Sequence, residues 1–391
     1  MTKVHLDLRA TSFIPEAYKL SSGEISQMSG ANLGNLVFRH ALKMLIDGLD
    51  EYTPANYKEL HELSSRSQIE RVIVSCANWL GTREADENSN KNRANAVEAV
   101  EAPMCCFGLG VQAEHGATRI DLGPESQRLA RALAEKARLL SVRDELTADT
   151  LRRIGISNTV VTGCPSNFIN TDPLLGERIQ SRCTAAASEN PDWSGLRGCI
   201  SEFSGGHVDA PALMRIIISV LNDSPSFYVV QSPVLMPFLL NEIDEIPPLY
   251  AKNSGRDVNE VRSILLGSGL AFSSVDSWLD FSRTCKYSFG MRIHGTVVPI
   301  QAGVPSLLVA HDSRTAGLAD VMGIPAIEPK EFAKCYKEEP KYFFETVSEK
   351  MSSYDERRAR SAEVMRAYLV TNGLLPTAEL NALAVASMHG S

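Results

Sequence analysis

The sequence predicts an α/β protein of two Rossmann-like domains facing across a cleft, with C-terminal helices appended. Three observations predict this. Short apolar runs alternate with amphipathic stretches through most of the chain, which implies parallel sheets with helices on both faces. A polar stretch rich in small residues, 176–197, interrupts the alternation and separates two sets of strand-helix units. Beyond Pro340 the pattern turns to helix alone. A chain of 391 residues also exceeds one ordinary core, so two domains plus an extension is the natural division.

In the first domain, 1–175, apolar runs at 71–76, 104–110, 139–143 and 159–162 read as strands. The stretches 36–49, 126–137 and 147–154 carry helical periodicity between them. The second domain, 198–340, repeats the pattern. Its strands fall at 198–203, 226–231, 270–273, 287–292 and 306–310, and its clearest helices at 211–221 and 296–302. In the tail, 341–391, Tyr342, Phe343, Val347, Met351 and Tyr354 recur near helical spacing, followed by Val364, Met365, Tyr368 and Leu369. Gly373 closes that segment and 376–388 reads as one more helix. Such a tail either crosses back onto the first domain or makes a dimer contact.

Apolar residues make up 44% of the chain and charged residues 22%, ordinary for a soluble globular protein. The net charge of −8, without a long basic run, argues against a nucleic-acid partner held through its phosphates. The N-terminus lacks a signal-like apolar segment, and no window approaches the roughly 18 apolar residues of a membrane span. The eight cysteines are scattered and form no CxxC pair, so a structural zinc site is not expected. These features fit a cytoplasmic protein. They leave peripheral membrane association and the oligomeric state open.

Parallel α/β sheets bind ligands at the carboxyl ends of their strands, so function is sought in the loops that follow strands. The segment Arg292–Ile293–His294–Gly295 lies where a predicted strand turns into a helix. Free N–H groups at a helix start attract anions, and arginine adds a planar fork of donors suited to phosphate or carboxylate. Histidine can carry a proton near neutrality, and glycine permits close approach of a ligand to the backbone. Together they suit a phosphorylated carboxylic acid. The competing expectation is that Arg292 pairs with a structural carboxylate while His294 caps the helix.

A second strand end carries His311–Asp312–Ser313–Arg314–Thr315. There Arg314 could line the same cleft, while Asp312 or Ser313 could simply cap a helix. A third carries Arg143–Asp144–Glu145, where two acids beside the arginine make a salt-bridged loop a serious competitor. The loop 30–35, ending in Asn35, precedes an apolar helix and could touch a ligand or merely turn the chain. Gln112, Glu114 and His115 could line the mouth of the cleft and suit a sugar, with Trp79 as a stacking face. The segment 108–113 matches GxGxxA, but no apolar helix follows it, so a dinucleotide fingerprint is rejected. Neither a GxxxxGK[ST] phosphate loop nor a GxSxG elbow occurs.

The blocks Ser141–Val142–Arg143–Asp144–Glu145, Gly155, Val160–Val161–Thr162–Gly163, Arg292–Ile293–His294–Gly295 and Ala302–Gly303–Val304–Pro305 resemble the polysaccharide pyruvyltransferase family in identity, order and separation. The resemblance implies a GT-B-like fold and phosphoenolpyruvate as donor. It implies a pyruvate ketal across two hydroxyls of a sugar, lipid-linked saccharide or glycan destined for the cell envelope or an exopolysaccharide. The family's donor-binding Arg–x–His maps onto Arg292, Ile293 and His294, and Arg143 is the carry-over for a second donor arginine. Many members have Asp where this chain has Cys164, a position read here as building the turn before Pro165.

For that chemistry, His294 is the candidate general acid or stabiliser of the departing phosphate. Asp144, Glu145 and Asp312 are the candidates to accept hydroxyl protons. No step requires a cofactor, although Mg²⁺ held mostly through substrate is compatible with the sequence. The alternatives are a GT-B glycosyltransferase using a nucleotide sugar and a non-catalytic member that binds sugar or phosphate.

Overall fold

The computed structural model describes residues 2–6, 12–66, 68–112, 117–189, 192–203, 209–337 and 339–386, apart from the side chains of Ser313, Arg314, Cys335 and Lys337. The strands in the first half are β1 (Thr2–Leu6), β2 (Thr53–Ala55), β3 (Ile69–Ser75), β4 (Met104–Phe107), β5 (Leu140–Val142) and β6 (Thr159–Val161). Those in the second half are β7 (Gly198–Ser201), β8 (Phe227–Val230), β9 (Gly269–Ala271), β10 (Tyr287–Gly290), β11 (Ser306–Val309) and β12 (Ala326–Ile327). The nine predicted strands coincide with β3 to β11. The sequence reading passed over three short strands. β1 mixes polar with apolar residues, β2 contains Pro54 and sits on the sheet edge where proline is tolerated, and β12 spans two residues.

Every ladder between these strands is parallel. In the first half β2-β1-β3-β4 form one sheet, and a parallel bridge between Leu109 and Val142 extends it to the β5-β6 pair. In the second half the order is β12-β11-β10-β7-β8-β9. The chain therefore winds outward from β7 in one direction and from β10 in the other, and the topological switch point lies between these two strands. This is where a doubly wound sheet opens a crevice for ligands.

The two halves exchange elements. Ile14, Ile25, Leu33, Leu36, Val37 and Ala41, from the N-terminal region, are buried with Cys199 and Val229 of the second sheet and with Val275, Trp278 and Val298 of helices beside it. In return the C-terminal helices Tyr354–Thr371 and Ala378–Val385 pack Met365, Tyr368, Leu369, Leu380 and Leu383 against Ile73, Cys105 and Phe107 of the first sheet. Tyr368 Oη donates to the Cys106 carbonyl at 2.5 Å. The tail thus crosses back onto the first half. Two facing Rossmann-like sheets with a returning C-terminal tail constitute the GT-B-like arrangement.

The 176–197 stretch, read as a linker, carries most of the helix Leu175–Ser188. Its apolar residues Leu175, Ile179 and Cys183 are few but correctly spaced to be buried, and they share a core with Phe343, Phe344 and Val347 of the helix Pro340–Lys350. Small residues on the rest of its surface hid this helix from a reading based on apolar periodicity. No helix among the described residues is long and apolar enough to cross a membrane.

Candidate active site

A cavity of about 260 Å³ opens between the two sheets, and its walls are the loops at the carboxyl ends of their strands. The first half contributes Ala77 and Asn78 after β3, Gln112 after β4 and Arg143 after β5. The loop 30–35 adds Gly30, Asn32 and Asn35. The second half contributes Gln231 after β8, Met291 to His294 after β10, and His311, Thr315 and Leu318 after β11.

Arg143 follows β5 directly and is 4% exposed. Its Nη1 donates to Asn78 Oδ1 at 3.1 Å, and its guanidinium lies 5.9 Å from the Phe38 ring. The competing reading made Asp144 a salt-bridge partner of Arg143, but its carboxylate is used in starting the next helix. That carboxylate begins the helix Glu145–Arg153, accepting from Thr147 N at 2.8 Å and Thr147 Oγ1 at 2.7 Å. Asp144 is 4% exposed and outside the cavity lining, and Glu145 is exposed on the surface. Neither is placed to accept a proton from a ligand in the cleft, which corrects their assignment as base candidates. A carboxylate at a helix N-terminus satisfies orphan N–H groups, and here that demand takes Asp144.

Arg292 ends the turn after β10 and is the N-cap residue of the helix Ile293–Gln301. The helix begins three residues before its expected start at 296, so His294 lies within its first turn and does not cap it. The first N–H groups of this helix have no partner one turn earlier and face the anion-favouring end of the helix dipole. Arg292 Nη2 lies 3.6 Å from Oε2 of Glu202, whose side chain is 2% exposed. Glu202 follows β7 across the switch point and accepts from Gln231 N at 3.1 Å, Ser232 N at 2.8 Å and Ser232 Oγ at 2.6 Å. The structural carboxylate entertained for Arg292 therefore exists, while the arginine also lines the cleft with a third of its side chain exposed.

His294 is 4% exposed, and burial, reinforced by the nearby Arg143 charge, pushes its pKa down to about 3. The imidazole is thus neutral near pH 7. Its ring lies 5.9 Å from that of Phe38, and Nε2 is 3.6 Å from Cys164 Sγ. Ser166 Oγ donates to the same sulfur at 3.1 Å. Cys164 is fully buried; it opens the turn Pro165–Phe168, as expected, with its carbonyl accepting from Asn167 N at 3.1 Å, and its sulfur also faces His294. Gly295 also differs from expectation. A Cβ there would meet Ser201 Cβ at 2.2 Å and Gln231 Nε2 at 2.6 Å, so packing within the protein requires this glycine.

The sequence pattern of the polysaccharide pyruvyl transferase family matches residues 32–313, which span both walls of this cleft. The chain belongs to the polysaccharide pyruvyl transferase family. It is thereby a member of a family of transferases. No curated protein matches it. Among solved structures it is similar to Anabaena HepE in complex with UDP, with 12% identity, a TM-score of 0.47 and coverage of 95% of this chain and 99% of that one. It is also similar to S. aureus MnaA with UDP, with 12% identity, a TM-score of 0.46 and coverage of 96% and 99%. Trehalose-6-phosphate synthase OtsA follows at 10% identity and a TM-score of 0.45, with each chain fully covered.

In this pyruvyl transferase family member the cleft gathers Arg143, Arg292, Ile293, His294, Asn35 and Gln112 from the residues anticipated in the sequence. The side-chain amides of Asn35 and Gln112 are also engaged within the protein. Asn35 Nδ2 donates to the carbonyls of Ser29 at 3.0 Å and Gly30 at 3.3 Å, and Gln112 Nε2 donates to that of Asn78 at 3.0 Å. Asp312 caps the helix Ser313–Met322 through Thr315 N at 2.6 Å and stands 3.6 Å from Nε2 of the cleft residue His311. Asp312 is outside the lining, which again corrects a direct catalytic assignment. The Trp79 ring is covered by the Arg93 guanidinium at 4.5 Å and flanked by Tyr57 at 6.4 Å, so it packs within the protein. His115 and the Arg314 side chain lie outside the described residues.

Sequence reasoning missed Asn32, Asn78, Gln231 and Glu202. A signal existed for Gln231, because it closes the predicted strand 226–231 at its carboxyl end. Neutral amides in short loops otherwise carry no distinctive pattern. Among the described residues no carboxylate lines the cleft.

Proposed function

We propose that this family member transfers the pyruvyl group of phosphoenolpyruvate onto two hydroxyls of a sugar, forming a ketal and releasing phosphate. One observation carries the reading. Arg143 and Arg292 enter a single cavity from opposite sheets, with His294 and a helix N-terminus beside them. Phosphoenolpyruvate bears a phosphate and a carboxylate, and two arginine forks on opposite walls suit two anionic groups on one small molecule.

In this reaction a proton reaches the methylene carbon, leaving an oxocarbenium-like centre at the adjoining carbon. A sugar hydroxyl adds there, the carbon–oxygen bond to phosphate breaks, and a second hydroxyl closes the ring. Of the two hydroxyl protons, one balances the new methyl group and the other leaves on phosphate. The low pKa of His294 favours a neutral hydrogen-bond donor over an imidazolium acid. Ser166 donates to Cys164 Sγ, which leaves the thiol proton free to bond His294 Nε2 and the imidazole proton on Nδ1. From Nδ1 it stabilises charge developing on the departing phosphate. His311, in the cleft wall beside Asp312, is the proposed acceptor of a hydroxyl proton. These steps call on no resident cofactor.

The test is phosphate release from phosphoenolpyruvate in the presence of candidate sugars and lipid-linked saccharides, with the product examined for a ketal. Release that depends on acceptor supports the reading. Binding of UDP or GDP with no release for any acceptor overturns it in favour of nucleotide-sugar chemistry.

A further inference from the structure

We infer that Gln231 is a donor-site residue whose side-chain amide hydrogen-bonds an anionic oxygen of the bound donor; this rests on the phosphoenolpyruvate reading above. The residue is 1% exposed yet lines the cavity. Its backbone is fixed on both sides. The N–H donates to Glu202 Oε2 at 3.1 Å, and the carbonyl accepts from Leu33 N at 2.8 Å. Its side chain has no such anchor. Nε2 is buried and has no hydrogen-bond partner among the described residues. Buried amide donors are nearly always satisfied, because leaving one unpaired forfeits its hydration without return.

The surroundings show that space is kept for this amide. A Cβ on Gly34 would stand 2.7 Å from Gln231 Oε1 and 3.0 Å from His294 Nδ1. A Cβ on Gly295 would stand 2.6 Å from Gln231 Nε2. Two glycines on separate segments thus leave room for one uncharged side chain beside the imidazole. Glu202 joins the same group to Arg292, since its carboxylate faces the guanidinium and also accepts from the Gln231 backbone. An amide in that position adds directed hydrogen bonding without further charge. It thereby fixes the orientation of an anion that the arginines attract.

The experiment is calorimetric titration of the full chain with phosphoenolpyruvate and, separately, with inorganic phosphate. It compares wild type, Gln231→Met and Gln231→Glu, with thermal melting as the check on folding. Methionine keeps the volume and removes the hydrogen bonds, and is expected to weaken phosphoenolpyruvate about tenfold. Glutamate keeps the shape and adds repulsion, and is expected to weaken it further. Weakening of both ligands places the amide on the phosphate. Weakening of phosphoenolpyruvate alone places it on the carboxylate. Folded variants that bind phosphoenolpyruvate as wild type does overturn the inference and leave the pyruvyl reading standing. A wild type that binds no phosphoenolpyruvate removes both.

Discussion

Arg143 and Arg292 reach the same cavity from the ends of two parallel sheets, yet the sheets hold them by different means. Arg143 is nearly buried, bonds a neutral amide on Asn78 and lies close enough to His294 to depress its pKa. Arg292 is a third exposed and faces the buried carboxylate of Glu202 across the switch point. One wall therefore presents a cation fixed largely by packing, and the other a cation fixed by a counter-charge. A charge-fixed arginine depends on its partner far more than a packed one does, because the partner's own burial must also be compensated.

The sharpest break of this comparison removes the cations themselves. Arg143→Met and Arg292→Met are each expected to lower kcat/KM about 10³-fold, or ~4 kcal/mol, through loss of charge-assisted bonds to the donor. Arg292→Lys is expected to fall between these and wild type, because an ammonium lacks the planar fork. Initial rates of phosphate release measure all three. Near-normal kcat/KM in Arg143→Met would remove the first wall from donor binding.

The supports come next. Glu202→Ala takes an acceptor from Ser232 Oγ and from two backbone N–H groups and leaves Arg292 without its counter-charge. It is expected to destabilise the fold by about 3 kcal/mol, against about 1 kcal/mol for Asn78→Ala. Urea denaturation midpoints decide the matter. Equal losses would mean that the two walls are held alike.

The fold was readable in the sequence where strands were long, apolar and followed by periodic helices, as from β3 to β11. It was not readable where burial rests on few residues, as in the helix Leu175–Ser188, or on an edge strand such as Thr53–Ala55. In the site, Arg143, Arg292 and His294 stood out because their chemistry is unusual at strand ends. Asp144 and Asp312 drew attention for the same reason, but a carboxylate before a helix has two uses, and the sequence does not distinguish a cap from a base. Glu202 escaped notice because its importance comes from a strand, β10, that lies far along the chain.

The pH dependence of stability probes the buried imidazoles. His294 drops from the ordinary 6.5 to about 3, and His5, buried beside Ser75 and near Arg39, drops to about 4. Between those values and 6.5 the unfolded chain binds protons that the folded chain refuses. Stability is therefore fully present above pH 6.5 and declines as pH falls below it. At pH 5 each histidine is expected to have removed about 2 kcal/mol. His294→Gln should flatten roughly half of that decline in urea titrations at pH 7 and pH 5, by the same linkage. An unchanged slope would show that His294 is not held neutral by the fold.

The smallest expected effect concerns the atom that sets the orientation of this imidazole. Cys164 Sγ accepts from Ser166 Oγ at 3.1 Å and stands 3.6 Å from His294 Nε2, and in the mechanism proposed above its own proton bonds that nitrogen. Cys164→Ala removes that donor and lets the imidazole proton move between the two nitrogens. The expected loss is about tenfold in kcat, or ~1.4 kcal/mol, with little change in KM for the donor. Cys164→Ser restores an O–H donor of similar size and should recover to within about threefold of wild type. Nitrogen chemical shifts of His294 report the tautomer directly. They should show the Nδ1–H form in wild type and Cys164→Ser, and a mixture in Cys164→Ala. A tautomer identical in all three, with kcat unchanged, would reduce Cys164 to packing and leave His294 oriented by Phe38 and the helix alone.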